Sequence, residues 1–589
     1  MTRQIVGVPF TKPLEFASAF KQAKRRDDDI AIVNCGLRVC FEQQGNDFFV
    51  QDATLAYGGM GPFSLIARKA SEHLKGKKWS DSLIQELHPL LLEDMPLTAT
   101  SPGGQIEYRK TLAQSFLVKF ALRVNNELSR LVASFTLDPT CLSSLNEIER
   151  PLSSGKQVYQ VSKGSGSVGK PIVHLAATKQ VSGEALYIDD IPKMHNELYG
   201  VVVGSTVAHG IIESVDTSEA LKAPGVFGYV SREDLPPADD VHGDPNMIGP
   251  VFQDEELFAT KIVHCVGQMI GMIVAESEAQ ARYASKLLKI KYQPLPAVFT
   301  IEDAIEKKSF FEIERKLDSG EFSNDPPKNP GSLPRSAATH FVQGVARMSA
   351  QEHFYLETNA SLCVPGEDGD MEVFASTQQA KETQDFVAHV IDVPYHKVVV
   401  RVKRMGGGFG GKESRSVFLS AGLAAAAKKF KRPVRGMLTR EEDMVISGTR
   451  HPFRGEYKVG FTDEGKIVSL ELDMYANAGY SYDLSLAILE RSMTFCDNAY
   501  KIPNMKIRGK LCKTNTATNT AFRGFGGPQG MMVAEQFITQ VASYLKKPVE
   551  EIRFLNLYQN GEKTHFNMPL EKVFLDRAWK ELMESSQFE

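Results

Sequence analysis

Residues 404–415 read RMGGGFGGKESR, with five glycines in the six positions from Gly406 to Gly411, broken only by Phe409. Glycine at that density costs backbone entropy, so some close approach to bare backbone must offset it. The stretch follows KVVVRVKRM, a β-branched run that reads as a strand, and precedes SVFLSAGLAAAAKKF, which reads as a helix. A strand, a glycine loop and a helix N-terminus together offer N–H groups and a favourable dipole to an anionic or polar ligand. Gly406, Gly408 and Gly411 satisfy G-x-G-x-x-G, but no convincing acidic strand end follows about 20 residues on. Gly406 to Lys412 also begins a phosphate-binding loop, which fails at Glu413, where a hydroxyl should meet magnesium. A tight turn that only brings strand and helix together stays open as the plain structural reading.

A second glycine loop, NTAFRGFGGPQG at 519–530, repeats the theme with Arg523, Phe525, Gly526 and Gly527. Two such loops, each presenting a phenylalanine, suggest one flat or extended ligand held from two sides. Each aromatic contact of that kind contributes about 0.5–1.5 kcal/mol beyond burial.

The chain has 589 residues, too many for one core, and suggests roughly three or four domains of about 150 residues. A net charge of −4 gives no basic face for nucleic acid, and no apolar run approaches the roughly 18 residues of a membrane span. The N-terminus, MTRQIVGVPFTKPLEF, lacks the apolar run of a signal peptide, so a cytoplasmic or peroxisomal-matrix setting fits best, although SSQFE at the C-terminus is no peroxisomal address. Seven scattered cysteines, of which only Cys35 and Cys40 lie close, read as reduced thiols and encode neither an iron–sulfur nor a zinc site.

Periodicity divides the chain. Residues 1–130 alternate apolar and polar in IAIVNCGLRVCFEQ and FFVQDATLAYGG, and three helical stretches follow, a small α+β unit whose KRRDDD run (24–29) reads as a solvated turn. A Ser/Gly-rich linker covers 131–175. A second α+β domain covers 176–300, with a strand pair in LYGVVVGSTVAHGIIESVD and a helix from about Glu276 to Leu288. A proline-rich linker over 301–337 leads to a third domain at 338–589, with strands in MEVFAST, KVVVRVKRM, KIVSLELDMYANAG and KIRGKLCKTN. The expected class is α+β, multidomain.

RMGGGFGGKESRS, QEHFYLET (351–358), STQQAKETQDFV (376–387), GTRHPF (448–453), LAILERSM (486–493) and CKTNTATNTAFRGFGGPQG (512–530) closely resemble the xanthine dehydrogenase group of the molybdenum hydroxylase family. The resemblance runs over nearly the whole chain. It implies the C-terminal lobe of a flavin domain over 1–130, a hammerhead-type α/β domain over 176–300 and the first part of a molybdopterin-binding domain over 338–589.

The resemblance also implies roles for individual residues. Gln378, Phe409 and Arg523 match contacts to the molybdenum centre. Glu413 matches the carboxylate that hydrogen-bonds the purine, Arg491 the arginine facing its far carbonyl, and Phe525 the ring that packs on it. Lys21 matches a lysine near FAD, of which this chain would carry only part of the site, and KRRDDD matches a mobile loop there. Taken alone, Glu413 is a helix N-terminal carboxylate and Arg491 a surface arginine. Together, on separate loops, they can grip opposite ends of a polar heterocycle, and an arginine can stabilise oxyanion charge as it builds during attack.

Aldehyde oxidases of the same fold look apolar at these two positions. The implied activity is therefore hydroxylation of xanthine or hypoxanthine towards urate: base-assisted attack of a Mo–OH oxygen on an electron-poor ring carbon, hydride transfer to sulfur, and electron flow through 2Fe-2S clusters and FAD to NAD, in a homodimer when complete. The 2Fe-2S domains, the N-terminal flavin lobe and the catalytic glutamate of the family have no counterpart here. The chain thus resembles an internal fragment, no general base is named, and expressed alone it is expected neither to hold molybdopterin tightly nor to turn over xanthine. Aldehyde oxidase chemistry and a non-catalytic binding module remain the alternatives.

Overall fold

The computed structural model describes residues 13–23, 31–99, 101–132, 138–145, 166–167, 170, 172–240, 243–324 and 332–588. They form two compact units, divided at Lys170 and Pro171. The KRRDDD run and most of the 131–175 stretch lie outside the described residues.

In the first unit, strands Glu15–Ala23, Ala31–Gln44, Asp47–Gly58 and Leu65–Ile66 form an antiparallel sheet in sequence order. Val33, Leu37 and Val39 are buried, as are Phe48 and Val50, which pair with Gln43 and Phe41. A bulge then changes the phase: Cys40 pairs with Asp52 but Phe41 with Val50, so Gln51 is extra and the buried set moves to Ala53, Leu55 and Tyr57. The expected helices appear as Arg68–Leu74, Asp81–Glu93 and Ile106–Leu131. Leu87, Leu91, Phe120, Val124 and Leu128 complete this core, and the Trp79 indole donates to Asn125 Oδ1 at 2.7 Å.

The second unit departs from the expected division. One seven-stranded sheet runs Val398–Arg401, Met371–Ala375, Ala360–Pro365, Val434–Met437, Leu198–Gly204, Met269–Ala275, Val226–Val230. Its centre is a parallel pairing of Leu198 and Tyr199 with Val434 and Arg435, so strands expected in separate domains share one sheet. The buried Glu197–Arg435 ion pair (2.7 Å) reinforces that seam. The expected pair within 198–216 is also corrected: Leu198–Gly204 joins this sheet, whereas Gly210–Asp216 pairs with Ile262–Val263 and Lys289–Pro294 in another.

A five-stranded sheet holds Arg315–Ser319, Asn504–Lys513, Ile467–Gly479, Phe453–Phe461 and His340–Met348. The expected linker 301–337 therefore needs correction as well. Ile301–Glu306 is a helix capped by Thr300, and Arg315–Ser319 pairs antiparallel with Met505–Gly509. Its prolines fall mainly in the 325–331 stretch, outside the described residues, and do not interrupt these elements. Helix Ser416–Phe430 is buried on nearly every face against the seven-stranded sheet, and Gly527–Leu545 packs on the five-stranded one. Both helices begin where a glycine loop ends. No described helix is long and apolar enough to cross a membrane.

Candidate functional site

The glycine loop joins strand Val398–Arg401 to helix Ser416–Phe430, as its flanks require. What lies against its bare backbone is largely protein. A side chain at Gly406 would collide with Glu357, one at Gly408 would stand 2.5 Å from Gln378 Oε1, and one at Gly411 would stand 2.7 Å from the His353 ring. Gly410 has φ +100°, and a Cβ there would lie 2.5 Å from the Ala521 carbonyl oxygen, so the two glycine loops touch backbone to backbone. Arg523 N–H donates to the Phe409 carbonyl at 2.8 Å and fixes the same contact.

Lys412 points inward. Its Nζ donates to the Glu357 carbonyl (2.6 Å) and Ser376 Oγ (2.7 Å), lies over the Tyr355 ring at 4.6 Å, and is fully buried. Burial pulls its ammonium down to about 8, against the nearby Glu357 carboxylate. A lysine held this way reaches no phosphate, which removes the phosphate-loop reading. Glu357 in turn accepts from the Gly406 amide and Ser376 Oγ, both at 2.7 Å.

The face turned away from this packing carries expected residues. Gln378 Oε1 accepts from the amides of Gly410 (2.8 Å) and Lys412 (3.3 Å), which orients its amide and leaves Nε2 free to donate outward. Phe409 is 48% exposed, and Arg523 is exposed with no side-chain partner among the described residues. Phe409 and Phe525 both adopt left-handed backbone, φ 53° and 47°. Bulky residues avoid that region at a cost of about 1–3 kcal/mol, and such strain gathers at ligand sites. Phe525 is half-buried against the core under the five-stranded sheet.

Arg491 is exposed at the end of helix Ser485–Thr494, its guanidinium 4.7 Å over the Phe495 ring and its Nε beside Gly527. No ion pair joins it to Glu413 among the described residues. Glu413 is half-buried with no counter-cation among the described residues, and burial followed by the nearby Asp483 raises its carboxyl above the usual range.

Glu382 was not anticipated. It stands in the first turn of helix Ala380–Ile391, four residues after Gln378, and burial with Asp483, Glu413 and Asp385 pushes its carboxyl up to about 7. Its place in a first helical turn after the STQ motif was the signal available, and an N-terminal carboxylate on a helix explains itself without a site. Asp483, Glu357 and His353 were equally unmarked. In the first unit, Lys21 is an exposed strand residue paired in register with Asn34.

An oxo-rich anionic cofactor fits this donor set. The Gln378 amide, the Arg523 guanidinium and the amides of Gly407, Gly408 and Phe409, which have no partner among the described residues, are all donors on one loop system. A family model for the molybdopterin cofactor-binding domain matches residues 334–557. The aldehyde oxidase and xanthine dehydrogenase a/b hammerhead domain matches 182–296, and the CO dehydrogenase flavoprotein C-terminal domain matches 18–124. The chain is 46% identical over 593 residues to "Xanthine dehydrogenase/oxidase" of Gallus gallus and 44% identical over 586 residues to "Xanthine dehydrogenase 1" of Arabidopsis thaliana.

Over nearly its whole length the chain is similar to these xanthine dehydrogenases. Each of those alignments covers 99% of this chain and 42% of the relative, so the chain spans less than half their length. Among solved structures, the aldehyde oxidoreductase of Desulfovibrio gigas superposes with a TM-score of 0.66 at 21% identity, over 86% of this chain and 52% of that one. Quinoline 2-oxidoreductase of Pseudomonas putida 86 gives 0.62 at 22%, over 72% and 54%. These two share the fold. A molybdopterin cofactor-binding domain and the C-terminal domain of a flavoprotein are thus both present, the domain types that the expected molybdenum–molybdopterin and FAD call for.

Proposed function

We propose that this chain supplies the purine-gripping part of a xanthine dehydrogenase-type molybdenum hydroxylase. In the whole enzyme it would act on xanthine and hypoxanthine towards urate, pass electrons to NAD and work as a homodimer. The observation that carries this reading is Glu413: a half-buried carboxyl, without a cation, beside an exposed loop face of hydrogen-bond donors. A buried acid left so is costly unless a ligand's N–H groups meet it. A hydroxypurine supplies such groups, whereas an aldehyde would leave the carboxyl unpaired, which disfavours the aldehyde oxidase alternative.

In this reading Gln378 Nε2, Arg523 and the amides of 407–409 hold the cofactor. Phe409 and Phe525 flank the purine, Glu413 accepts from it, and Arg491 swings from Phe495 to its far carbonyl. A molybdenum–pterin group, when bound, supplies the oxidising centre and the transferred oxygen. The protein's own contribution is orientation and the exclusion of water. Isothermal titration of the chain with xanthine tests it. Binding should weaken at least tenfold in Glu413→Ala and in Arg491→Ala, with no matching change for benzaldehyde; equal binding by wild type and both variants would refute it.

A further inference from the structure

Between the two glycine loops lies a buried polar node that includes none of the residues expected to touch substrate or cofactor. Asp483, fully buried and with φ 42°, accepts from Ser414 Oγ through Oδ1 and from Thr520 Oγ1 through Oδ2, each at 2.6 Å. Ser414 adjoins Glu413, and Thr520 opens the loop that carries Arg523 and Phe525. The two hydroxyls are themselves 3.0 Å apart. Behind them, Arg415 makes a two-pronged pair with Glu255 (2.6 and 3.0 Å) and stands 3.8 Å from Asp483. Tyr480 and Ser481 also donate to Glu255, at 2.7 and 2.6 Å, and the Tyr482 amide donates to Asp254 at 2.9 Å. The segment bearing Asp483 is thus anchored from below by residues 254 and 255.

We propose that Asp483 is the positioning residue of the site: one carboxylate fastens the two glycine loops to each other, and its charge faces Glu413. The charge argument is a count. Arg415 is the single cation within the node, against the carboxylates of Glu255 and Asp483. The groups around it are Glu413 on the first loop, Glu382 and Asp385 on the neighbouring helix with Lys381 paired to Asp385, Asp254 beside Glu255, and the Tyr480 phenol. Burial and then Asp483 raise both Glu413 and Glu382. The fastening stands on the hydrogen bonds alone. The charge claim rests on the purine-binding reading above.

Hydrogen exchange and xanthine titration, on the whole chain, test the two parts separately. Asp483→Asn removes the charge and one acceptor; Ser414→Ala with Thr520→Ala removes the two hydroxyl donors that tie the loops to Asp483. In both variants peptides covering 406–415 and 519–527 should exchange together, at least tenfold faster, while the 453–461 strand is unchanged. A response in one loop only, in neither, or equally across the whole chain would overturn the fastening. The midpoint of the pH profile for xanthine binding should move down in Asp483→Asn. An unmoved midpoint in Asp483→Asn overturns the charge claim. Absence of xanthine binding by every form refutes the functional reading instead, and the exchange result still decides the fastening.

Discussion

Gln378 and Lys412 are bound to each other twice: the Gln378 amide N–H donates to the Lys412 carbonyl at 2.8 Å, and Gln378 Oε1 accepts from the Lys412 amide at 3.3 Å. The side-chain oxygen also takes the Gly410 amide, so the residue expected beside the metal centre is first a fastener of the loop. Its two functions reside on different atoms. Gln378→Leu should cost about 1–2 kcal/mol of stability, through the lost acceptor. Gln378→Glu keeps an acceptor and replaces the outward donor by a carboxylate oxygen at an exposed position, so its stability should stay within about 0.5 kcal/mol of wild type while affinity for added molybdopterin falls. Urea unfolding beside titration of the purified chain with molybdopterin separates the two outcomes.

The glycines should differ in tolerance for the same steric reason. At Gly410 an added Cβ meets the Ala521 backbone, and its φ of +100° is unsuited to an L side chain. Gly410→Ala should cost about 3 kcal/mol or more. At Gly408 the neighbour is the Gln378 side chain, which can yield only by leaving the Gly410 and Lys412 amides, so Gly408→Ala should cost about 2 kcal/mol. Equal losses in the two variants, measured by chemical denaturation, would show that the loops do not meet where the structure places them.

Much of this site was legible because its local signals agree. The strand, the two glycine loops and the helices after them all carry their own periodicity, and Gln378, Phe409 and Arg523 sit at fixed offsets within recognisable motifs. What stayed hidden is non-local. Nothing in LYGVVVG shows that Leu198 will pair with Val434, because strand order is set by packing far along the chain. Proline-rich composition suggested a linker over 301–337, yet the alternation of Arg315–Ser319 suffices to add an edge strand. Glycine density signalled a close approach without naming the approacher, and the inward turn of Lys412 depends on Ser376 and Glu357, distant in sequence.

Lys412 makes stability depend on pH in the alkaline range. Its ammonium is lowered in the folded chain to about 8 from the ordinary 10.5, so between those values the unfolded chain binds more protons. Stability from this group therefore rises as pH increases from 8 to 10.5, by about 3 kcal/mol at most. Lys412→Met should remove that rise, although it leaves Ser376 and the Glu357 carbonyl without their donor and lowers stability at pH 7. Unfolding midpoints between pH 7.5 and 10 show it. The same slope in the variant would mean that other groups set it.

Glu382 acts in the opposite direction, at lower pH. Its carboxyl is raised in the folded chain to about 7 from 4.5, so between those values the folded chain binds more protons than the unfolded one. Stability then falls as pH rises from 4.5 to 7, because ionisation puts a charge in a partly buried place and sets it beside the buried Asp483, Glu413 and Asp385. Glu382→Gln keeps the shape and stays neutral, so it should be the more stable protein at pH 7.5 and lose its advantage at pH 4.5. Glu413 and Asp483 are raised as well, so the variant flattens the slope without abolishing it. Urea midpoints for both proteins at half-unit steps from pH 4.5 to 7.5 decide the matter: parallel curves would place the Glu382 carboxyl back among ordinary surface acids, while curves that converge at the acid end would identify it as a proton-holding neighbour of Glu413.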